Sequence, residues 1–158
     1  MSTINQLGLP QKQTAELVDK LNILLANYQV YYQNARALHW NIKGKRFFDL
    51  HLKFEEFYND AQLKVDKIAE RILTLGGTPL HTFSDYLAHN KLPIVKNITV
   101  DDEAVQLIIT SFTELLKLER VILNDAAEIG DEGTNGMMSS FIALQEKNIW
   151  MLSAFLQA

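Results

Sequence analysis

No cysteine occurs among the 158 residues. Disulfides, thiolate zinc sites and thiol catalysis are therefore excluded, although the redox compartment stays open. Proline (3) and glycine (7) are scarce, which leaves little room for a turn-rich all-β fold. No apolar run approaches the roughly 20 residues that a membrane-spanning helix needs. Positive charge is also short: 15 Lys and Arg stand against 19 Asp and Glu, a formal net charge of -4. That balance predicts no generic attraction to DNA or to anionic membranes. The opening stretch MSTINQLGLPQKQ lacks the charged and apolar regions of a secretory signal, so a cytoplasmic location is expected.

What is present is helical periodicity. The length suits one domain, 1–158, with a single sizeable core. A first helix is expected from near Pro10 to about Trp40, with Leu17, Leu21, Leu24, Leu25, Tyr28, Tyr32, Ala35 and Leu38 at helical spacing. NIKGKR breaks it. A second helix should run from about Phe47 to Leu75 and stop at Gly76-Gly77. A long connection from Thr78 to about Val100 carries TFSDYLAHN, which can form a short helix. A third long helix starts at TVDD, where Thr99 can cap and Asp102 can answer it. A fourth is expected from about Thr134 to the end. Short loops within each half make two antiparallel hairpins, and the long connection joins them. The expected fold is all-α: a ferritin-like four-helix bundle with a long crossover that carries a short helix.

The second helix has three faces. At ~100° per residue, Leu50, Phe54, Phe57, Ala61, Val65, Ile68, Ile72 and Leu75 form one apolar stripe. Asp49, Lys53, Glu56, Asp60, Lys67 and Arg71 lie opposite, a solvated face. His51, Glu55, Asp66 and Glu70 fall on the flank between, within an arc of roughly 100°. Phe48, Leu52, Asn59, Gln62, Leu63 and Leu73 lie on or beside it. A flank of this mixed character is expected to be a second interface. Each doublet, His51 with Glu55 and Asp66 with Glu70, has the i, i+4 spacing of one helix face. The doublets are separated by about 22 Å at ~1.5 Å per residue, so one helix cannot bring both to one ion. Two copies crossing antiparallel about a two-fold axis can, and symmetry makes the site twice. Imidazole with carboxylates suits Fe(II), Mn(II) or Zn(II), and the carboxylates favour redox iron. The bland alternative is that the acids are solvated surface charge and His51 a packed or exposed histidine.

The stretch ALHWNIKGKRFFDLHLKFEEFYNDAQLKVDKIAERILTLGGTP resembles the Dps family, the mini-ferritins named as DNA-binding proteins from starved cells. The resemblance rests on His39-Trp40-Asn41, a glycine-containing loop, Phe48, His51 and Glu55. DKIAER from Asp66 to Arg71 and LGGTPL from Leu75 to Leu80 complete it. It implies a ferroxidase centre between subunits. His39, His51 and Glu55 would come from one chain, and Asp66 and Glu70 from its two-fold mate. Position 55 often holds Asp in the family, and Glu keeps the carboxylate. Trp40 would lie next to the site, as a supporting or electron-donating residue or as packing at a helix end. The resemblance further implies a dodecameric hollow shell that oxidises Fe(II) with peroxide, stores ferric oxyhydroxide and protects against oxidative stress.

Asp125, Glu128, Asp131 and Glu132 crowd the end of the third long helix. Carboxylates at a helix C-terminus oppose its dipole. A cation entry pore at a three-fold axis would explain them, and the resemblance supports one. Alternatively, Asp131 and Glu132 simply precede the next helix, where acid is favourable.

DNA binding is expected to be weak or absent, because the first eleven residues and the final SAFLQA carry no Lys or Arg. A true ferritin or di-iron oxygenase would carry Glu-x-x-His pairs within the bundle; here Arg36 precedes His39 and Phe48 precedes His51. A structural or DNA-compacting bundle without metal is the rival from another class, and it lacks a basic surface. Nothing positive supports a small-molecule binding bundle. His81 and His89 are expected to be exposed or local packing residues, and Met137, Met138 and Trp150 packing or interface residues.

Overall fold

The computed structural model describes residues 3–157. Five helices follow in order: α1 (Gln11–Asn41), α2 (Phe47–Thr74), α3 (Phe83–His89), α4 (Asp101–Glu128) and α5 (Glu132–Leu156). Among the described residues there is no strand, only an isolated bridge between Ile4 and Pro10. α1 packs on α2, α4 on α5, and α1 on α4, while α3 lies against α1 in the crossover. This is the expected all-α, ferritin-like bundle.

The core follows from the sequence periodicity. Leu21, Leu24, Leu25 and Tyr28 of α1 meet Phe54, Ile68 and Ile72 of α2. Ile108 and Leu115 of α4 and Met138 of α5 close the interior. The apolar stripe of α2 is buried as read, except that Val65 is half-buried.

α2 ends where the glycine pair requires. Gly76 takes φ +89°, a left-handed conformation that is cheap only without a Cβ. The Gly77 N–H then donates to the Ile72 carbonyl (2.9 Å) and the Gly76 N–H to Leu73 (3.0 Å). These two bonds satisfy orphan carbonyls of the last turn.

Three local expectations are corrected. Val100, not Thr99, is the N-cap of α4, and no side chain caps it. Asp102 is drawn instead to Arg46, whose Nε also donates to Asp101 Oδ2 at 2.8 Å. A charge-assisted bond to guanidinium outcompetes a capping bond. Arg71 is not on a solvated face: it is largely covered and bonds to Asp131 and Thr134. The fourth long helix starts earlier than Thr134, because Asp131 caps it by accepting from the Thr134 N–H at 3.0 Å. It ends at Leu156, and Ala158 lies outside the described residues.

Candidate metal centre

The short 42–46 link sets the last turn of α1 beside the first turns of α2. His39 and His51 meet there. Their rings stack with centroids 3.8 Å apart and planes 13° from parallel. His39 Nδ1 is 2.6 Å from the His51 carbonyl oxygen, and His51 Nδ1 is 2.8 Å from the His39 carbonyl oxygen. A carbonyl oxygen only accepts, so both Nδ1 atoms carry hydrogen. In the neutral imidazoles the lone pairs are then on Nε2. A backbone acceptor on one ring nitrogen is the usual device for orienting a metal-binding histidine. Phe47 stacks on the far side of His51 (4.9 Å, 19°). His39 is buried and His51 half-buried.

Glu55 is half-buried one turn beyond His51, whereas Asp66 and Glu70 are exposed. Among the described residues, no three His, Asp or Glu side chains come together as a metal cluster within one chain. The flank carrying these groups also exposes Phe48, Leu52, Leu63 and Leu73, each more than half accessible. An unpaired chain therefore presents two pairs of donors set in an apolar surface.

Trp40 is 57% exposed, and its ring faces the Arg36 guanidinium at 4.8 Å. The aromatic residue against His39 is instead Tyr58 of α2, edge-to-face at 5.3 Å and 76°. The sequence reading missed it. The helical wheel held the signal, because position 58 lies only ~20° around from position 51.

The acidic cluster at the α4–α5 turn is only partly free. Asp131 is 2% exposed and committed to the helix cap. It accepts from Arg71 Nη2 at 2.6 Å and from Thr134 Oγ1 at 2.5 Å. Its proposed pore role is therefore withdrawn in favour of the capping reading. Asp125 is paired with Lys20. Glu128 and Glu132 remain exposed. His81, His89 and Trp150 are exposed, and Met138 is buried.

A further polar group occupies the bundle interior. Glu119 of α4 is fully buried, and Gln145 Nε2 of α5 donates to its two oxygens at 2.7 and 2.8 Å. The Tyr28 hydroxyl of α1 lies 3.3 Å from Glu119 Oε1. Burial pushes the Glu119 carboxyl up to about 7, against the opposing pull of the Gln145 hydrogen bond and the Lys64 charge. Gln145 Oε1 has no partner. A protonated Glu119 would donate to that oxygen after an amide flip.

The two hairpins, the crossover and the carboxylate-histidine flank define the class: a ferritin-like protein. The ferritin-like domain family matches residues 18–158. The crystal structure of a Dps protein from Vibrio cholerae O1, described as a member of a broad superfamily of ferritin-like diiron-carboxylate proteins, superposes with a TM-score of 0.95. It is 48% identical and covers 99% of this chain and 98% of that one. A Dps crystal structure from Bacillus brevis gives 0.90 at 34% identity, over 92% and 98% of the two chains. The DNA protection during starvation protein of Porphyromonas gingivalis is 41% identical over 94% of this chain and 93% of its own length. The chain belongs to the Dps family, the mini-ferritins, an iron-storage family.

Proposed function

We propose that residues 1–158 act as one Dps domain that oxidises Fe(II), preferably with hydrogen peroxide. The ferroxidase centres are shared between subunits of a dodecameric shell, which stores ferric oxyhydroxide in its cavity. This cytoplasmic chemistry protects the cell from oxidative stress. The observation that carries the reading is the reciprocal hydrogen bonding of His39 and His51, which leaves two oriented Nε2 lone pairs at the α1–α2 junction, with Glu55 one helical turn beyond His51. Asp66 and Glu70 of the two-fold mate complete the donor set. No described helix is long and apolar enough to cross a membrane.

Two ferrous ions at one centre can pass two electrons to peroxide together. That avoids the one-electron cleavage that releases hydroxyl radical. Carboxylates favour the ferric product, and a sparse set of strong donors leaves positions open for the oxidant. DNA binding is weak or absent without bridging cations, because the chain carries a net charge of -4.

The division of the site gives the test. In a mixed dimer, one chain carries His51→Ala with Glu55→Ala and its partner Asp66→Ala with Glu70→Ala. All four lesions then fall in a single site, and about half of the peroxide-driven iron oxidation should remain if the sites act independently. With all four changes in one chain of the dimer, both sites are damaged and little activity should remain. The reverse order, little activity in the split arrangement and about half with all four changes in one chain, would show that the ligands are not shared. Absence of peroxide-driven iron oxidation in the wild type as well would favour the rival reading of a non-catalytic structural or DNA-compacting assembly.

A further inference from the structure

Ferritin-like bundles with an internal metal centre send inward a Glu from each of two helices and a Glu-x-x-His pair from each of the other two. Here the four long helices also turn polar groups inward, but of another kind. α1 supplies Tyr28, α2 Lys64, α4 Glu119 and α5 Gln145, and all are buried. One carboxylate with no histidine does not make that donor set, so the interior does not fit a di-iron centre. It holds a positive charge instead. We propose that Lys64 is a metal-excluding residue: its ammonium is the resident cation of the bundle interior, and it keeps divalent ions that prefer oxygen donors out of the Glu119 cluster. The proposal concerns the interior alone and does not rest on the ferroxidase reading of the α1–α2 junction.

Lys64 is only 5% exposed, and a lysine is almost never so buried unless its charge is matched. Its Nζ donates to Asp60 Oδ2 at 2.5 Å and lies 5.3 Å from the centre of the Phe141 ring. The Phe141 carbonyl in turn accepts from Gln145 Nε2 at 3.1 Å, and that same nitrogen donates to Glu119. Burial raises the Glu119 carboxyl, and the Gln145 bond and then the Lys64 charge oppose that rise. The ammonium thus acts on the carboxyl through a low-dielectric interior.

The groups around Glu119 are oxygen donors. Its own two oxygens are joined by the Tyr28 hydroxyl, 3.3 Å from Oε1, and Gln145 Oε1 is buried without a partner. Turning the Gln145 amide over sets that oxygen toward the carboxylate. Two acceptors make such a contact only with a proton or a cation between them. With Lys64 in place, a divalent ion entering here meets a like charge in surroundings that screen it poorly. Without Lys64, the buried carboxylate has lost a compensating charge, and a divalent ion can take its place.

Mn(II) is the probe, because carboxylate and carbonyl oxygens suit it and electron paramagnetic resonance counts the free ion. The assembled full chain is titrated. Lys64→Glu drops the ammonium and adds a carboxylate, and should bind about one more Mn(II) per chain than the wild type. Adding Glu119→Gln should remove that gain, whereas Glu119→Gln alone should leave the wild-type count unchanged. If Lys64→Glu does not assemble, Lys64→Gln decides, since it drops the charge without adding an acid. Mn(II) should then raise its melting temperature by several degrees more than that of the wild type, and Glu119→Gln should abolish the difference. A wild-type count that falls in Glu119→Gln would mean that metal already sits beside Lys64, and would overturn the proposal. So would the absence of a Glu119-dependent gain in whichever variant assembles. A wild type that binds no Mn(II), beside a Lys64→Glu variant that gains the ion, would count against the junction centre and leave this inference standing.

Discussion

His39 and His51 each donate from Nδ1 to the other's backbone carbonyl. Each ring is thus oriented by main chain, which a side-chain substitution at the other position leaves in place. His39→Ala should therefore remove one Nε2 donor while His51 keeps its tautomer. Peroxide-driven iron oxidation should fall by at least about 10-fold, given that losing even an orienting partner costs that much in metal sites. Stopped-flow absorbance of ferric product measures it, with sizing to show that assembly is unaffected.

Leu63 lies 64% exposed on the donor-bearing flank of α2. If that flank is the two-fold interface, Leu63→Glu buries a charge there and should break the oligomer. Light scattering should show the wild type as a large assembly and the variant as far smaller species, down to the 18.0 kDa chain. Helical circular dichroism should be kept, because the core stripe is untouched. A wild-type monomer would exclude a shared centre.

Arg71 covers the start of α5. Its Nη2 donates to Asp131 and its Nε to Thr134. Gly133 permits this approach, since a Cβ there would stand 2.7 Å from the guanidinium nitrogens. Arg71→Ala leaves Asp131 buried and unpaired, and should cost about 3 kcal/mol in denaturant unfolding. Adding Asp131→Asn should recover part of that loss, because the uncompensated charge is then gone.

Glu119 gives a pH dependence of defined sign. Its carboxyl is raised from 4.5 to about 7 in the fold. Between those values the folded chain keeps a proton that the unfolded chain has lost, so stability falls as pH rises and levels off above about 7. Glu119→Gln removes this dependence. The stability difference between wild type and variant should change across the window by on the order of 3 kcal/mol. Thermal melts of both proteins at matched pH values measure it, and parallel curves would contradict it.

DNA retention should be weak. In a gel shift at moderate salt with chelator, plasmid should run free. Added divalent cations should increase retention by bridging phosphate to a chain of net charge -4. Tight binding in chelator would reveal a basic surface that the charge balance does not suggest.

By itself the sequence determined the helices, the apolar stripe of α2 and the flank that carries His51, Glu55, Asp66 and Glu70. These follow from a fixed ~100° turn per residue, a local property that needs no tertiary contact. It also determined the stop at Gly76-Gly77, because a left-handed residue is a local requirement. Only the tertiary structure decided what depends on elements meeting. It set His39 against His51 by ring nitrogen and carbonyl, and put Tyr58 in the place beside His39 that adjacency had suggested for Trp40. It withdrew Asp131 from the acidic cluster by pairing it with Arg71, 60 residues away along the chain. The physical reason is that an aspartate near a helix start reads the same on paper whether solvent or a guanidinium satisfies it. That choice depends on which neighbour excludes water, and long-range packing alone fixes the neighbour.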